Sequence, residues 1–436
     1  VTFLFTDIQG STQLLLELRE GYAKLLAQHH ALLRSAISNW NGQEVDTQGD
    51  AFFVSFPRAS EAVRCVVEIQ RSLAEGAWPA GVKVRVRMGL HTGEPLVAPL
   101  SQRRCVAYEV RGRQQVEAGL VRPIDDEIAD VVDVIIPAGL SMTNVDGVQY
   151  GLPYNLGAVG LWYNMDLLAE AGIDAPATTW AEFLADVQTL KDAGITPISL
   201  GGQDAWTAMF WFAYLSVRNC GPEGMSAAIT SGDWTGECFV KAAEDLKTLV
   251  EMEPFQEGFL AANHDAQQGE FGNGRAAFML QGQWAPGSSA SNSESGEGIG
   301  EALGWASFPA VEGGAGQLTD VFGGGDNFVV GRDAPPEAVD FLEYLTTNAD
   351  VVEEWAGLGD GTLPTLVGSE AFVADPNLQS ILAARSEATF AQGYLDQVTS
   401  PALGAAINDA VAGLVAGVLS SEELTQSITD AAALEG

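Results

Sequence analysis

The chain has 436 residues, with 58 Asp and Glu against 21 Lys and Arg and a formal net charge of −37; so acidic a surface repels nucleic acid and anionic membrane and excludes both as electrostatic partners. The charge is uneven: residues 1–112 carry 12 basic and 11 acidic side chains, whereas residues 113–436 carry 9 and 47, a step that marks unlike parts joined in one chain. No run of about 18 apolar residues is present to span a bilayer, and the length admits about two or three domains.

The opening "VTFLFTDIQGST" alternates and is rich in Phe, Thr and Val, which predicts a strand that ends at Gly10 and leaves Asp7 at the strand end. From Ser11, Leu14, Leu18, Tyr22, Leu25, Leu32 and Leu33 fall near helical spacing until "NWNGQ" breaks the run. "EVDTQGDAFFVSF" predicts a β-hairpin about a Gly49-Asp50 corner, placing a second carboxylate at a hairpin tip. A helix over residues 60–73 follows, then the strand "VKVRVRMGLHTG", whose alternation leaves one face solvated. Two carboxylates at the ends of neighbouring strands suit a hard cation, Mg²⁺ or Mn²⁺, together with substrate phosphates. An Asp at a strand end serves equally well as a turn residue.

"FTDIQGST", "TQGDAFFVSF" and "GLHTGE" occur in that order, and with them residues 1–96 resemble the first half of a class III adenylate/guanylate cyclase catalytic domain. The resemblance implies a truncated ferredoxin-like half-domain in which Asp7, Asp50 and the Ile8 carbonyl would hold the metal. It also implies a purine-selecting group and a helix supplying an Asn and an Arg to the transition state, and neither motif follows Glu94; Asp46 stands where purine-selecting members commonly carry Lys. Cyclisation needs preorganised positive charge at the transferring phosphorus, and such a site is completed by a second domain. The expectation is a non-catalytic fragment, with a cyclase completed by a partner domain as the alternative.

Residues 97–113, "VAPLSQRRCVAYEVRGR", have no clear period and are basic in an acidic chain. They read as a junction, and the unlike flanks imply a gene fusion or an assembly product, an inert one being the third possibility.

Beyond the junction the pattern becomes α/β. "QQVEAGLVRPID" predicts a helix end at Gly119, and "GVQYGLPYNLGAVGLWYN" two short apolar strands about the Pro153-Tyr154-Asn155 loop. "TTWAEFLADVQTLKDAGITPISL" predicts a helix opened by a capping box of Thr179 and Glu182, with Trp180, Phe183, Leu184, Val187 and Leu190 on one face, then a strand. "FVKAAEDLKTLVEM", "PEAVDFLEYLTT" and "NADVVEEWAGL" predict helices, "AAFMLQGQW" a strand entering a loop, and "VFGGGDNFVV" a Gly-rich crossing. "GSSASNSESGEGIG" predicts a polar surface loop, and the C-terminal stretch two helices, the second opened by Ser421. The alternation of helix and strand indicates an open α/β sheet.

"DGVQYGLPYNLGAVGLWYN", "AGIDAPATTWAEFL", "LKDAGITPISLGG", "FGNGRAAFMLQGQW" and "INDAVAGLVAGVLSSEELTQSITDAA" run in order through residues 114–436, and this part resembles the carbohydrate-type extracellular solute-binding proteins of ABC importers. The resemblance implies a two-lobed periplasmic-binding-protein-like α/β fold, here lacking its first strands, that closes on a sugar or oligosaccharide and delivers it to an ABC permease. A sugar offers hydroxyls and apolar C–H faces, so its site wants indoles beside amides and carboxylates. Trp206, Trp284 and Trp355 stand beside Gly or polar loop residues, whereas Trp162, Trp180 and Trp211 lie within apolar runs and read as core. Tyr154 and Asn155 occupy the loop that the family points into the cleft. Asp204 and Asp326 can accept hydroxyls; Gly324 and Gly325 permit close backbone approach, or form a hinge crossing. "GGGDNF" is no phosphate loop, His29, His30, His91 and His264 are scattered, and neither a zinc site nor a nucleophile elbow is visible. Cys220 and Cys238 can form a disulfide if this part is exported, or remain thiols. The chain opens without a basic and then apolar leader, so the expectation for it as written is the cytosol, whereas the resemblance implies a place outside the membrane for an intact solute-binding relative, and the sequence leaves the two in conflict.

Overall fold

A computed structural model describes residues 2–8, 20–48, 51–75, 78, 82, 84–92, 115–116, 118–358 and 361–434. The chain divides into two compact units, Val1–Ser101 and Gln102–Gly436. The start of the first predicted helix, the Gly49-Asp50 corner, the Asp7 side chain, Cys105 and the 97–113 junction lie outside the described residues.

In the first unit, β1 (Thr2–Ile8), α1 (Glu20–Asn39), β2 (Gln43–Gln48), β3 (Ala51–Phe56), α2 (Ala59–Glu75) and β4 (Val86–Thr92) follow one another. The sheet order is β2-β3-β1-β4 with every pair antiparallel, the split βαβ arrangement of ferredoxin-like folds. Strand alternation sorts the faces: Leu4, Ile8, Phe52, Val54, Phe56 and Val86 join Leu25, Leu33, Ile37, Ile69 and Leu73 of the helices in one core. The opposite face carries Phe3, Phe5 and Phe53; Phe5 stacks on Phe53 at 4.7 Å yet stays 49% exposed.

Cys65 is fully buried in this core, and burial, assisted by the Glu68 carboxylate, pushes its thiol from 9.0 up to about 12. The raised value means the unfolded chain releases the proton first. The stabilising contribution is whole below about pH 9 and is lost as pH rises toward about 12. Urea midpoints of this unit should fall between pH 8 and 10.5 and flatten in Cys65→Ser; a wild-type midpoint that does not move would exclude this linkage.

The second unit opens with a hairpin-like run into β5 (Gly151–Pro153) and β6 (Gly160–Asn164). Then come α3 (Trp180–Asp192), β7 (Thr196–Ile198), α4 (Ala205–Ser231), α5 (Glu237–Glu251), α6 (His264–Gly272), β8 (Ala276–Gln281), α7 (Ala285–Asn292) and β9 (Leu303–Ala306). After β10 (Val321–Phe322) and β11 (Asn327–Val329) follow α8 (Glu337–Thr347), α9 (Ala349–Ala356), α10 (Pro376–Glu387), β12 (Ala391–Gln392), α11 (Pro401–Val415) and α12 (Ser421–Ala433). One lobe is built on the sheet β9-β6-β8-β7, in which only β8 and β7 run parallel. The other holds the antiparallel pair β11-β5 under α8, with Ile124, Ile128, Ile135, Leu152, Val330 and Leu342 as its core.

The predicted face of α3 is buried at Trp180, Phe183, Val187 and Leu190, with Leu184 partly covered; each such side chain contributes about 1.5–3 kcal/mol. Thr179 Oγ1 accepts Glu182 N at 3.3 Å, capping the helix. The reciprocal box is complete at Ser420 and Glu423, whose two bonds measure 2.8 and 3.2 Å. The cap is therefore Ser420, one residue before the expected Ser421, because Ser421 is already buried as the first helical residue.

The loop expected over "GSSASNSESGEGIG" is corrected in its first part: residues 285–292 are helix α7. Pro286 in its first turn favours the start, and the small residues let α7 lie against α6. A Cβ at Gly272 would stand 2.2 Å from Ser289 O, so the low-complexity composition here serves close helix packing.

Cys220 and Cys238 form a disulfide with Cα atoms 5.1 Å apart, joining α4 to the first turn of α5. Closing an 18-residue separation stabilises the unit by about 3 kcal/mol. Melting with and without dithiothreitol should separate the two states, and identical midpoints would leave the bond without that role. No described helix is long and apolar enough to cross a membrane.

Candidate binding site

The two lobes are joined by an antiparallel crossing. Val159 N donates to Phe322 O at 2.8 Å, Gly157 N to Gly324 O at 2.9 Å and Asp326 N to Asn155 O at 3.0 Å. This approach explains the glycine run: a Cβ on Gly325 would lie 1.8 Å from Asn155 O, and one on Gly324 would lie 2.6 Å from the Tyr394 ring. Gly324 and Gly325 thus face the crossing strand and Tyr394. Beside the crossing opens a cavity of about 330 Å³, at the low end of the roughly 300–1,000 Å³ usual for small-molecule sites.

Five of the nine sequence-predicted ligand residues line it: Tyr154, Asn155, Trp284, Asp326 and Trp355. They arrive from separate places, namely the loop after β5, the turn between β8 and α7, the residue before β11, and α9. Tyr154 stacks on Phe328 at 4.7 Å and meets Trp355 edge-on at 5.3 Å. Asn155 is 6% exposed and held at both ends of its amide: Nδ2 donates to Asp326 Oδ2 at 2.9 Å and Oδ1 accepts Leu363 N at 2.8 Å. The Asp326 carboxylate keeps lone pairs for a hydroxyl. Arg385 donates to Leu156 O at 2.7 Å and holds the same loop from behind.

Trp284 lines the cavity from a second ring cluster, backed by Trp206 at 6.3 Å and by Phe210 and Tyr394 at 6.4 Å. Burial, with the nearby Asp326 carboxylate assisting, pushes the Tyr394 phenol well above its ordinary value and keeps it neutral. Trp206 therefore stands behind the cavity lining. Asp204 serves the helix ends, its Oδ2 accepting His264 N at 2.6 Å and its carbonyl accepting Thr207 N at 2.9 Å. Trp162, Trp180 and Trp211 are 0%, 4% and 1% exposed, as core residues should be.

Gln283, Phe328, Leu358 and Thr362 also line the cavity and were not singled out in the sequence. Phe328 had a signal, since it lies two residues beyond Asp326 in extended chain and so shares its face. Gln283 adjoins Trp284, and its Oε1 is buried without a hydrogen-bond partner. In the first unit, Ile8 is 1% exposed within the core and Asp7 pairs through β1 with Arg87. The side chains of Asp7 and Asp50 lie outside the described residues, and the described ones contain no group of three metal-ligating side chains.

Residues 111–352 match the family model of bacterial extracellular solute-binding proteins, and residues 1–118 that of the adenylate and guanylate cyclase catalytic domain. A solved structure described with xylan utilization by the thermophilic bacterium Caldanaerobius polysaccharolyticus is 25% identical, covers 73% of this chain and 82% of that one, and superposes with a TM-score of 0.67. A chitin oligosaccharide binding protein is 24% identical over 74% of this chain and 80% of its own, with a TM-score of 0.65. An adenylate cyclase of Podospora anserina is 35% identical over 118 residues, 23% of this chain. The chain spans only 6% of that relative's length.

Proposed function

The chain belongs to the bacterial extracellular solute-binding proteins, and from that premise we propose that it binds a neutral sugar or oligosaccharide between Tyr154 and Trp284 and passes it to an ABC permease. The observation that carries the reading is the cavity itself: rings from two aromatic clusters, the amides of Asn155 and Gln283, and Asp326 as the one charged side chain among the described lining residues. Rings take the C–H faces of pyranoses, while Asp326 and its neighbours take hydroxyls.

Calorimetric titration with xylotriose, chitotriose, maltotriose and galactose tests this; silence from all four in a folded sample counts against it. With the Asp326 carboxylate in the lining, a uronate-bearing counterpart of the best ligand should bind at least about tenfold weaker. Asp326→Asn should narrow that gap, and equal affinities in the wild type would refute the charge argument.

The amino-terminal unit is read as non-catalytic in this chain alone, with Asp7, Asp50 and the Ile8 carbonyl as the groups that would hold Mg²⁺ or Mn²⁺. Cyclic nucleotide made from ATP or GTP with Mn²⁺, and lost in Asp7→Ala, would restore the cyclase reading.

A further inference from the structure

The geometry points to Gln281 as the positioning residue of Trp284: with Gln267 it forms a buried amide relay that fixes the indole and engages its N–H, so that Trp284 meets a ligand by its ring face alone. Trp284 Nε1 donates to Gln281 Oε1, Gln281 Nε2 to Gln267 Oε1, and Gln267 Nε2 to Ser199 O, each at 3.0 Å. Gln281, Gln267 and Ser199 are all 0% exposed.

Amide orientation in a protein is normally an assignment, but here both ends dictate it. An indole N–H can only donate and a backbone carbonyl can only accept, so the two amides between them have a single self-consistent polarity. Reversing either glutamine would set donor against donor in a water-free place, at the full cost of unmade buried bonds.

The backbone is held as tightly. Trp162, wholly buried, donates Nε1 to Gln281 O at 3.1 Å and Gly282 O at 3.0 Å. The ring of Trp284 folds back over residue 282, where a Cβ would lie 2.3 Å from its Cζ3. "QGQW" is therefore one device: Gln281 grips the indole, Gly282 makes room beneath it, and Gln283 and Trp284 line the cavity.

The first arm of the test needs no ligand and so fails or succeeds apart from the sugar-binding reading. In protein labelled with ¹⁵N-indole, the Trp284 N–H, identified by its loss in Trp284→Phe, should exchange at least about a hundredfold more slowly than an exposed indole. Fast exchange of that N–H in the wild type would overturn the relay before any change at Gln281 is made. Gln281→Met, near in shape but without donor or acceptor, should release that protection.

The second arm rests on the proposed function. For the trisaccharide that binds best in the calorimetric panel, Gln281→Met should weaken affinity about tenfold. In the Trp284→Phe background the same change should add little, because the partner N–H is already gone. Additive losses, or an indole resonance whose exchange speeds on binding because its N–H is handed to the sugar, would overturn the assignment.

Discussion

Arg218→Met should melt the carboxy-terminal unit roughly 10 °C below the wild type, a loss of about 3–5 kcal/mol. Arg218 lies on α4 and is 0% exposed. All five of its N–H groups are committed to carbonyls of one loop. Nε donates to Pro309 O at 3.0 Å, Nη1 to Gln317 O and Asp320 O at 2.7 Å, and Nη2 to Phe308 O at 2.8 Å and Leu318 O at 3.2 Å. The Tyr214 ring lies 5.1 Å from the guanidinium, and Asp320, 1% exposed, balances its charge.

Burial lowers the guanidinium pKa from its ordinary value, yet so strong a base stays protonated at neutral pH. Methionine fills part of the volume but leaves five carbonyls, three of them in buried bonds, and the buried Asp320 carboxylate without their cation. The penalty is thus that of broken pairing in a water-free place, far above that of a surface ion pair. Arg218→Lys, with three donors in place of a planar fork of five, should recover about half. Scanning calorimetry reads both; a Met variant melting within about 2 °C of the wild type would remove the clamp from the account.

Trp284→Ala should weaken oligosaccharide binding at least about thirtyfold, or roughly 2 kcal/mol or more. Its ring lines the cavity, and Trp206, Phe210 and Tyr394 keep it from turning away. Tyr154→Ala should cost nearly as much, because Tyr154 is the cavity-lining ring against which Phe328 and Trp355 are arranged. Trp180→Ala provides the contrast: its side chain stacks on Phe183 and Phe308 in the core, so it should lose about 3–5 kcal/mol of stability while leaving affinity unchanged where the protein is folded. Titration calorimetry beside melting curves separates the two effects, and equal affinities for wild type and Trp284→Ala would dismantle the site.

Much of the architecture was legible because it is written locally. The face of α3, its Thr179 cap, the β2-β3 hairpin and the sorting of Trp162, Trp180 and Trp211 into the core all follow from spacings of two to four residues. Misreadings arose where composition stood in for contact. The serines of 288–291 suggested a loop, yet they belong to α7, because the small Gly272 of α6 admits that helix at close range. Arg218, one cation in an apolar helix, offered no sign that five carbonyls from residues 308–320 would converge on it.

By itself, then, the sequence determined that two unlike parts share the chain, where most helices and strands run, and which aromatic and amide residues were candidates for a ligand. Only tertiary structure decided which candidates meet. Asn155 and Asp326 are 171 positions apart and bonded at 2.9 Å, Asp204 and Trp206 stand behind or outside the cavity, and Gly324 and Gly325 serve the crossing. The physical reason is one of range: helix and strand signals depend on neighbours within a turn, whereas a cavity is what remains after distant segments have packed, and its lining is chosen by that packing.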